Sequence, residues 1–190
     1  MFKFEKLVFG DAGWGDEFLI ATIMTLLVSI MSMGLGLFIA ILTVWAKLIQ
    51  NRITRFLANF YTTVIRGVPE LLVIYLIFFG GNAVVMKIAK IFGYHGYIEL
   101  NAFTIATIAI AIISATYSSE VLRAAYLSIP KGQIEAARAT GMNKYAIFIK
   151  VISPQVIRHA LPGIGNVWQI TLKDTSLISV TGLVEIMRQS

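Results

Sequence analysis

Long apolar runs separated by short charged ones dominate this chain, and their lengths predict membrane-spanning helices. Residues 18–46 contain no Asp, Glu, Lys, Arg or His, and about 20 apolar residues already suffice to cross a bilayer. Four ranges predict spans, at residues 18–46, 56–80, 100–127 and 160–184. The polar range 128–159 predicts a large loop in water. The pattern therefore indicates an all-α, polytopic membrane protein with one domain over residues 1–190.

Composition supports lipid as the main solvent and excludes several kinds of chemistry. The chain is 57% hydrophobic and 14% charged, with a mean hydropathy of +0.79, whereas soluble domains carry about 25% charged residues. It has no cysteine, which excludes disulfides, thiol catalysis and cysteine metal sites. His95 and His159 lack the spacing of a zinc or haem site. We therefore expect no cofactor and no metal.

The distribution of Lys and Arg predicts the orientation in the membrane. One side holds many basic residues around the first connection and the large loop: Lys47, Arg52, Arg55, Arg66, Arg123, Lys131, Arg138, Lys144, Lys150 and Arg158. The other side dilutes its basic residues with acidic ones such as Asp11, Asp16 and Glu185. Because cytoplasmic loops are enriched in Lys and Arg, we expect the N-terminus outside and the large loop inside. The net charge of +6 then needs no nucleic-acid partner.

The large loop has the signals of two ordered helices. Pro130 suits the first turn of a helix over residues 131–140, and Gly141 is placed to end that helix in the left-handed conformation. Asn143 can cap a second helix, which Pro154 follows at its end. Apolar residues recur on one face of the second helix, at Tyr145, Phe148, Ile149 and Ile152. A loop that only connects two spans needs no such order, so these helices predict a docking surface.

Several motifs in and around this loop resemble those of a known family. The loop resembles the "EAA" loop of ABC importer permeases at Glu135, Ala136, Ala137, Gly141, Val151 and Pro154. Flanking runs strengthen the resemblance, at residues 66–69, 129–133, 160–166 and 172–177. The set is most similar to permeases of the polar amino acid branch, those for histidine, lysine, arginine, ornithine or opines.

The resemblance implies a fold, a function and partners. It implies the type I importer fold, with the loop acting as a coupling helix that fits a groove on an ATPase; the implied coupling residues are Glu135, Ala136, Ala137, Gly141 and Pro154. It further implies a second permease subunit, two ATPase subunits, an external solute-binding protein and a polar amino acid, cationic or an opine, as cargo. Members of the family have a fifth span, so we expect this chain to be shortened at its C-terminus or to continue.

Other functional classes are less consistent with the sequence. An autonomous secondary transporter or channel is the alternative, but it has no ATPase for an ordered loop to contact. A membrane enzyme would need a catalytic constellation, and none is recognisable. The sequence also has no nucleotide-binding motif, so we expect no enzymatic activity from this chain and an energy source on another one.

Polar residues near the spans are candidates for the substrate pathway. Glu120 could contact substrate or pair with Arg123, three residues away on the same helix face, and we favour the pair. Asp174, with Lys173, breaks the fourth span and could line the pathway or fix packing. Arg66 and Glu70 flank Pro69 at a kinked or broken helix start and are further pathway candidates. Two small-residue clusters predict close helix contacts, at residues 34–36 and 163–165.

Overall fold

The computed structural model describes residues 14–93 and 101–181, which form helices joined by short connections. The α-helices are α1 (Gly15–Leu48), α2 (Arg52–Gly67), α3 (Glu70–Ile91), α4 (Ala102–Leu127), α5 (Lys131–Ala139), α6 (Lys144–Ile147) and α7 (Ser153–Asp174). A π-helix, Phe148–Ile152, joins α6 to α7, and a 3₁₀ helix, Thr175–Thr181, follows α7. The all-α prediction is confirmed for this part of the chain.

The length of α1 matches the thickness of a membrane. Trp14 precedes the first residue of α1, Trp45 lies in its last turn, and both side chains are largely exposed. A rise of 1.5 Å per residue separates them by about 46 Å along the axis, close to the thickness of a bilayer with its headgroups. Tryptophan is enriched at both membrane interfaces. The two side chains therefore mark the two interfaces that α1 connects.

The helices divide the predicted spans differently from the hydropathy pattern. Within the described residues, α1, α3 and α4 are long and apolar enough to cross a membrane. The range 56–80, predicted as one span, is two helices, because the chain leaves the helix between Gly67 and Glu70. Val68 is extended, the conformation that a following proline imposes. The kinked or broken helix start predicted beside Pro69 is confirmed by the end of α2 at Gly67 and the start of α3 at Glu70.

The predicted fourth span also has different bounds in the structure. Its helix, α7, begins at Ser153, inside the range predicted as a loop. The residues of the predicted span from Thr175 to Thr181 form a 3₁₀ helix. Residues 182–184 of this predicted span, and Leu100 at the start of the third, lie outside the described residues.

The core of the bundle is α4, which packs most closely against α1. Ile110 and Ala111 of α4 are completely buried, and the hydroxyl of Ser32 in α1 donates to the carbonyl of Thr107 at 3.1 Å. A Cβ atom built on Gly36 would lie 2.2 Å from Ser114 Oγ and 3.1 Å from the carbonyl oxygen of Ala111. Only a glycine at position 36 allows the two helices to approach this closely.

A second glycine contact joins α7 to α4. A Cβ atom at Gly163 would lie 2.6 Å from Val121 Cγ1, whereas nothing lies within 4 Å of the equivalent position at Gly165. The same contrast separates Gly36 from Gly34, around which there is open space. The prediction of close helix contacts is thus confirmed for one glycine of each cluster and not for the other.

Candidate functional site

The loop between α4 and α7 folds as a compact hairpin with a small core of its own. Four buried side chains form that core: Ile129, Ala137, Ile147 and Ile152. Asn143 caps α6, its side-chain oxygen accepting from the amide of Ala146 at 2.8 Å, as predicted. Because apolar contacts hold α5 against α6 and the π-helix, α5 has a fixed position relative to the bundle.

The turn between α5 and α6 is a complete Schellman cap. The amide of Gly141 donates to the carbonyl of Arg138 at 2.9 Å, and the amide of Met142 donates to that of Ala137 at 3.2 Å. Gly141 has φ +80°, which confirms its predicted left-handed conformation. Met142 also packs against the core that contains Ala137, the hydrophobic contact that accompanies this motif. The cap therefore fixes where α5 ends and α6 begins.

The second helix of the loop was expected to end at Pro154, but in the structure the chain stays helical through that residue. Pro154 lies in the first turn of α7, directly after the π-helix, and it has no amide to donate to the preceding turn. The amide of Ser153 bonds instead to the carbonyl of Phe148, five residues back. The wider π turn accommodates the proline while the helix continues, so α6 is joined to α7 without a break.

A side-chain hydrogen bond connects α5 directly to α7. Gln155 Nε2 donates to Gln133 Oε1 at 2.7 Å, and also to the carbonyl of Val151 at 2.7 Å. The two glutamines are 22 residues apart in the chain, so no local pattern in the sequence predicts this contact. It gives a path by which a displacement of α5 would reach the start of α7.

Two surfaces of the hairpin are exposed. Glu135 and Ala136 of α5 lie at the surface, while Ala137 is buried beneath them. In α6 and the π-helix of the same hairpin, Tyr145 is 73% exposed and Phe148 is 56% exposed. Exposed aromatic side chains are enriched where proteins contact a partner, so the hairpin is a candidate docking surface.

Three of the predicted pathway residues meet in one place, together with a tyrosine that sequence analysis missed. The Arg66 guanidinium lies 5.4 Å from the centroid of the Tyr117 ring, a cation–π distance. The Tyr117 hydroxyl donates to Glu70 Oε1 at 3.0 Å. The carboxyl groups of Glu70 and Asp174 lie within hydrogen-bonding reach of each other. We call these four residues the carboxyl cluster.

The break between α2 and α3 positions the carboxyl cluster. Arg66 is in the last turn of α2 and Glu70 is the first residue of α3, so the break at Pro69 separates them by one short connection. Tyr117 comes from the central helix α4, and Asp174, buried to 6% exposure, is the last residue of α7. Two carboxyl groups this close repel each other when both are ionised, so a cation beside them would be stabilised.

Glu120 lies in a separate polar pocket near the carboxyl cluster. Its Oε1 accepts from the ammonium of Lys47, which also donates to Thr62 Oγ1 at 2.7 Å. A cavity of about 430 Å³ opens beside this pair; its lining residues are Lys47, Asn59, Thr62, Thr63, Arg66, Gly67 and Glu120. We call this cavity the polar pocket. It borders the carboxyl cluster through Arg66, which belongs to both.

The favoured partner of Glu120 in the sequence analysis was Arg123. That pair exists, with Arg123 Nη1 at 3.8 Å from Glu120 Oε2, but the closer partner is Lys47. The Lys47 side chain is 3% exposed, and a cation so deeply buried requires a carboxylate and further acceptors. Lys47 and Glu120 are 73 positions apart, so no local spacing in the sequence predicts that they pair.

Most of the chain matches one known protein family. Residues 32–190 match the family of binding-protein-dependent transport system inner membrane components. The chain belongs to this family. It is therefore an inner membrane component of a transport system that depends on a binding protein, and the predicted permease resemblance is confirmed.

Individual relatives of this permease have names that describe their cargo. The chain is 52% identical over 183 residues to the nopaline transport system permease protein NocQ of Agrobacterium fabrum, covering 96% of this chain and 78% of the relative. It is 36% identical over 176 residues to the histidine/lysine/arginine/ornithine transport system permease protein HisQ of Escherichia coli, covering 93% and 77%.

A solved structure confirms the fold of the permease. The crystal structure of an amino acid ABC transporter with histidines superposes with a TM-score of 0.76 at 31% sequence identity, covering 93% of this chain and 77% of that chain. The type I importer fold predicted from the loop motifs is confirmed by this match.

Proposed function

We propose that this permease translocates cationic amino acids or opines in an ATP-driven importer. The observation that carries the proposal is the carboxyl cluster, which brings Glu70 and Asp174 together at a helix break. The relatives support the same class of cargo, since their names include nopaline, histidine, lysine, arginine and ornithine.

The carboxyl cluster supplies the chemistry that a cationic side chain requires. A guanidinium or ammonium group beside Glu70 and Asp174 would receive charge-assisted hydrogen bonds and relieve the repulsion between the two carboxylates. Tyr117 fixes Glu70 through its hydroxyl, and the cation–π contact of Arg66 fixes the Tyr117 ring. In this proposal Glu70 and Asp174 bind the cargo, while Arg66 and Tyr117 position Glu70.

The hairpin supplies the contact with the ATPase. We assign this role to the exposed surface at Glu135 and Ala136. Ala137 anchors that surface in the small core, Gly141 forms its cap, and the π turn before Pro154 joins it to α7. When the ATPase subunits close on ATP, a displaced α5 would pull α7 through the Gln133–Gln155 hydrogen bond. Asp174, at the far end of α7, would move with it.

The proposed assembly contains two permease subunits, alike or related, and two ATPase subunits. A solute-binding protein on the outer side delivers the cargo, and membrane lipid surrounds the bundle. This permease has no nucleotide-binding motif, so its energy would come from the ATPase subunits. The ordered loop would be the surface that contacts them. No nucleic acid takes part.

We propose an orientation in which the N-terminus is outside and the α5–α6 hairpin is in the cytoplasm. The warrant is the excess of Lys and Arg in the hairpin and the first connection. Because the chain has no cysteine, Gly10→Cys and Asn143→Cys each introduce a single thiol. In intact cells, an impermeant maleimide should label the first variant and reach the second only after lysis. Labelling of both variants from outside would contradict the orientation.

Uptake by the whole assembly tests the proposed function. Membrane vesicles that contain the permease, its ATPase and its solute-binding protein should import radiolabelled L-arginine only with ATP. Unlabelled lysine, histidine or nopaline should compete with it, and glutamate should not. Competition by glutamate alone would contradict the cationic assignment, and ATP-independent uptake would favour an autonomous transporter instead.

Asp174→Asn tests the carboxyl cluster in the same vesicles. Loss of one charge-assisted contact of about 1.5–3 kcal/mol should raise the KM for L-arginine by about ten- to a hundredfold, while the ATPase still co-purifies. Lys173→Gln is the matched control, because Lys173 is the exposed neighbour in the sequence, and its KM should stay unchanged. If Asp174→Asn releases the ATPase instead, Asp174 is a packing residue.

A further inference from the structure

The polar pocket presents charges of both signs to one cavity. Arg66 is a cation on its wall, and Glu120 is an anion whose side chain is 32% exposed. Lys47 engages Glu120 Oε1 and Arg123 Nη1 lies 3.8 Å from Oε2, so a ligand cation would share the carboxylate with these two residues on its exposed side. The volume of about 430 Å³ is within the range of small-molecule sites, about 300–1,000 Å³.

This arrangement of charges matches the backbone of a free amino acid. Such a molecule carries a carboxylate and an ammonium on one carbon, and a guanidinium binds carboxylates through two parallel hydrogen bonds. We infer that the polar pocket binds these two groups, with Arg66 on the α-carboxylate and Glu120 on the α-ammonium. Asn59 and Thr63 line the same cavity and supply uncharged hydrogen-bonding groups.

The polar pocket and the carboxyl cluster lie close enough to hold one molecule. Tyr117 and Glu120 are one turn apart on α4, which is about 5 Å along its axis, and Arg66 belongs to both sites. An amino acid with its backbone in the polar pocket therefore directs a long cationic side chain toward Glu70 and Asp174. The inference rests on the proposed function, because it takes the cargo to be a cationic amino acid.

Lys47 pairs with Glu120 and so keeps the carboxylate neutralised when no cargo is present. An incoming α-ammonium would share that carboxylate. The exchange keeps Glu120 paired throughout, which avoids the cost of an isolated buried charge. It also means that removal of Glu120 alone leaves Lys47 buried without its carboxylate, so a single variant would confuse binding with folding.

Ligand competition on the purified permease–ATPase complex, without the solute-binding protein, tests the inference. The probe is radiolabelled L-arginine, and the competitors are agmatine, which lacks the carboxylate, and N-acetyl-L-arginine, which lacks the α-ammonium. In the wild-type complex each competitor should bind at least about tenfold more weakly than L-arginine, the loss expected for one charge-assisted contact.

The double variant Lys47→Met/Glu120→Gln decides between cargo binding and a structural ion pair. It removes both charges together, so no buried charge is left unpaired, and the complex should remain assembled. This variant should bind L-arginine and N-acetyl-L-arginine about equally, while it should still bind L-arginine more tightly than agmatine. Arg66→Gln should bind L-arginine and agmatine about equally, and it should keep the preference for L-arginine over N-acetyl-L-arginine. Arg52→Gln is the control, because Arg52 is an exposed arginine at the other end of α2 and does not line the pocket, and it should retain both preferences.

Two results would overturn the inference. One is a double variant that assembles and keeps the wild-type preference over N-acetyl-L-arginine, because the pair is then only structural. The other is an absence of L-arginine binding by the wild-type complex when the full assembly imports that amino acid. Failure of the proposed function is distinct, since the full assembly would then import no cationic amino acid in vesicles.

Discussion

Gly36→Leu should force α1 away from α4 and destabilise the permease. Its Cβ atom would lie 2.2 Å from Ser114 Oγ and 3.1 Å from the carbonyl oxygen of Ala111, and the second of these atoms belongs to the backbone of a buried helix. Overpacking costs about 1–3 kcal/mol, and a leucine at this contact should reach the upper end of that range, about 3 kcal/mol. In a domain of this size we expect a Tm lower by about 6 °C or more, measured on the detergent-purified permease.

Gly34→Leu is the matched control for this prediction. It places the same side chain two residues away on the same helix, where nothing lies within 4 Å, and the Tm should stay within about 2 °C of wild type. Rescue adds a second control: Gly36→Ala should destabilise, and Ser114→Ala in addition should recover part of the loss. A Tm for Gly36→Leu equal to that of Gly34→Leu would show that α1 and α4 do not pack as described.

Local signals in the sequence predicted the local features of this permease. Gly141 and Asn143 occupy positions that only a few residue types favour, and both adopt the predicted capping conformations. The first span was predicted within a few residues because α1 is uncharged throughout its apolar part. These features depend on neighbours in the chain, so the sequence carries their physical cause directly.

Features that depend on distant neighbours were not predictable in the same way. Lys47 was counted only as a loop charge, yet its side chain is 3% exposed and bound to Glu120. Tyr117 was not singled out, because only the packing of α3 against α4 brings Glu70 to its hydroxyl. Hydropathy cannot show which helix faces which, and the polar contacts inside a bundle follow from that arrangement.

The candidate pathway was predicted as separate residues and not as sites. Arg66 and Glu70 were singled out because they flank Pro69 at a kinked or broken helix start, and Asp174 because it breaks the fourth span. Those local signals identify the residues, but they do not show which of them are neighbours in the fold. The helix break at Pro69 and the end of α7 place Arg66, Glu70 and Asp174 in the carboxyl cluster, whereas Glu120 lines the neighbouring polar pocket.

Gly141→Val should uncouple ATP hydrolysis from transport. The φ of +80° is strained for a β-branched residue by about 1–3 kcal/mol, so the cap between α5 and α6 should open. Glu135 would then lose its fixed position relative to α7, and ATPase closure would no longer pull on Asp174. A strain of about 1.4 kcal/mol lowers the equilibrium constant for the capped hairpin about tenfold, so we expect the amount of amino acid imported per ATP hydrolysed in proteoliposomes to fall.

Gly141→Asn separates backbone strain from the loss of glycine itself. Asparagine enters the left-handed region far more readily than valine, so this variant should keep most of the wild-type stoichiometry. The permease with valine should still insert and bind its ATPase, because the small core around Ala137 and Ile147 does not include Gly141. If the valine variant imports with wild-type stoichiometry, the Schellman cap is not needed for coupling, and the hairpin core alone must hold α5 in place.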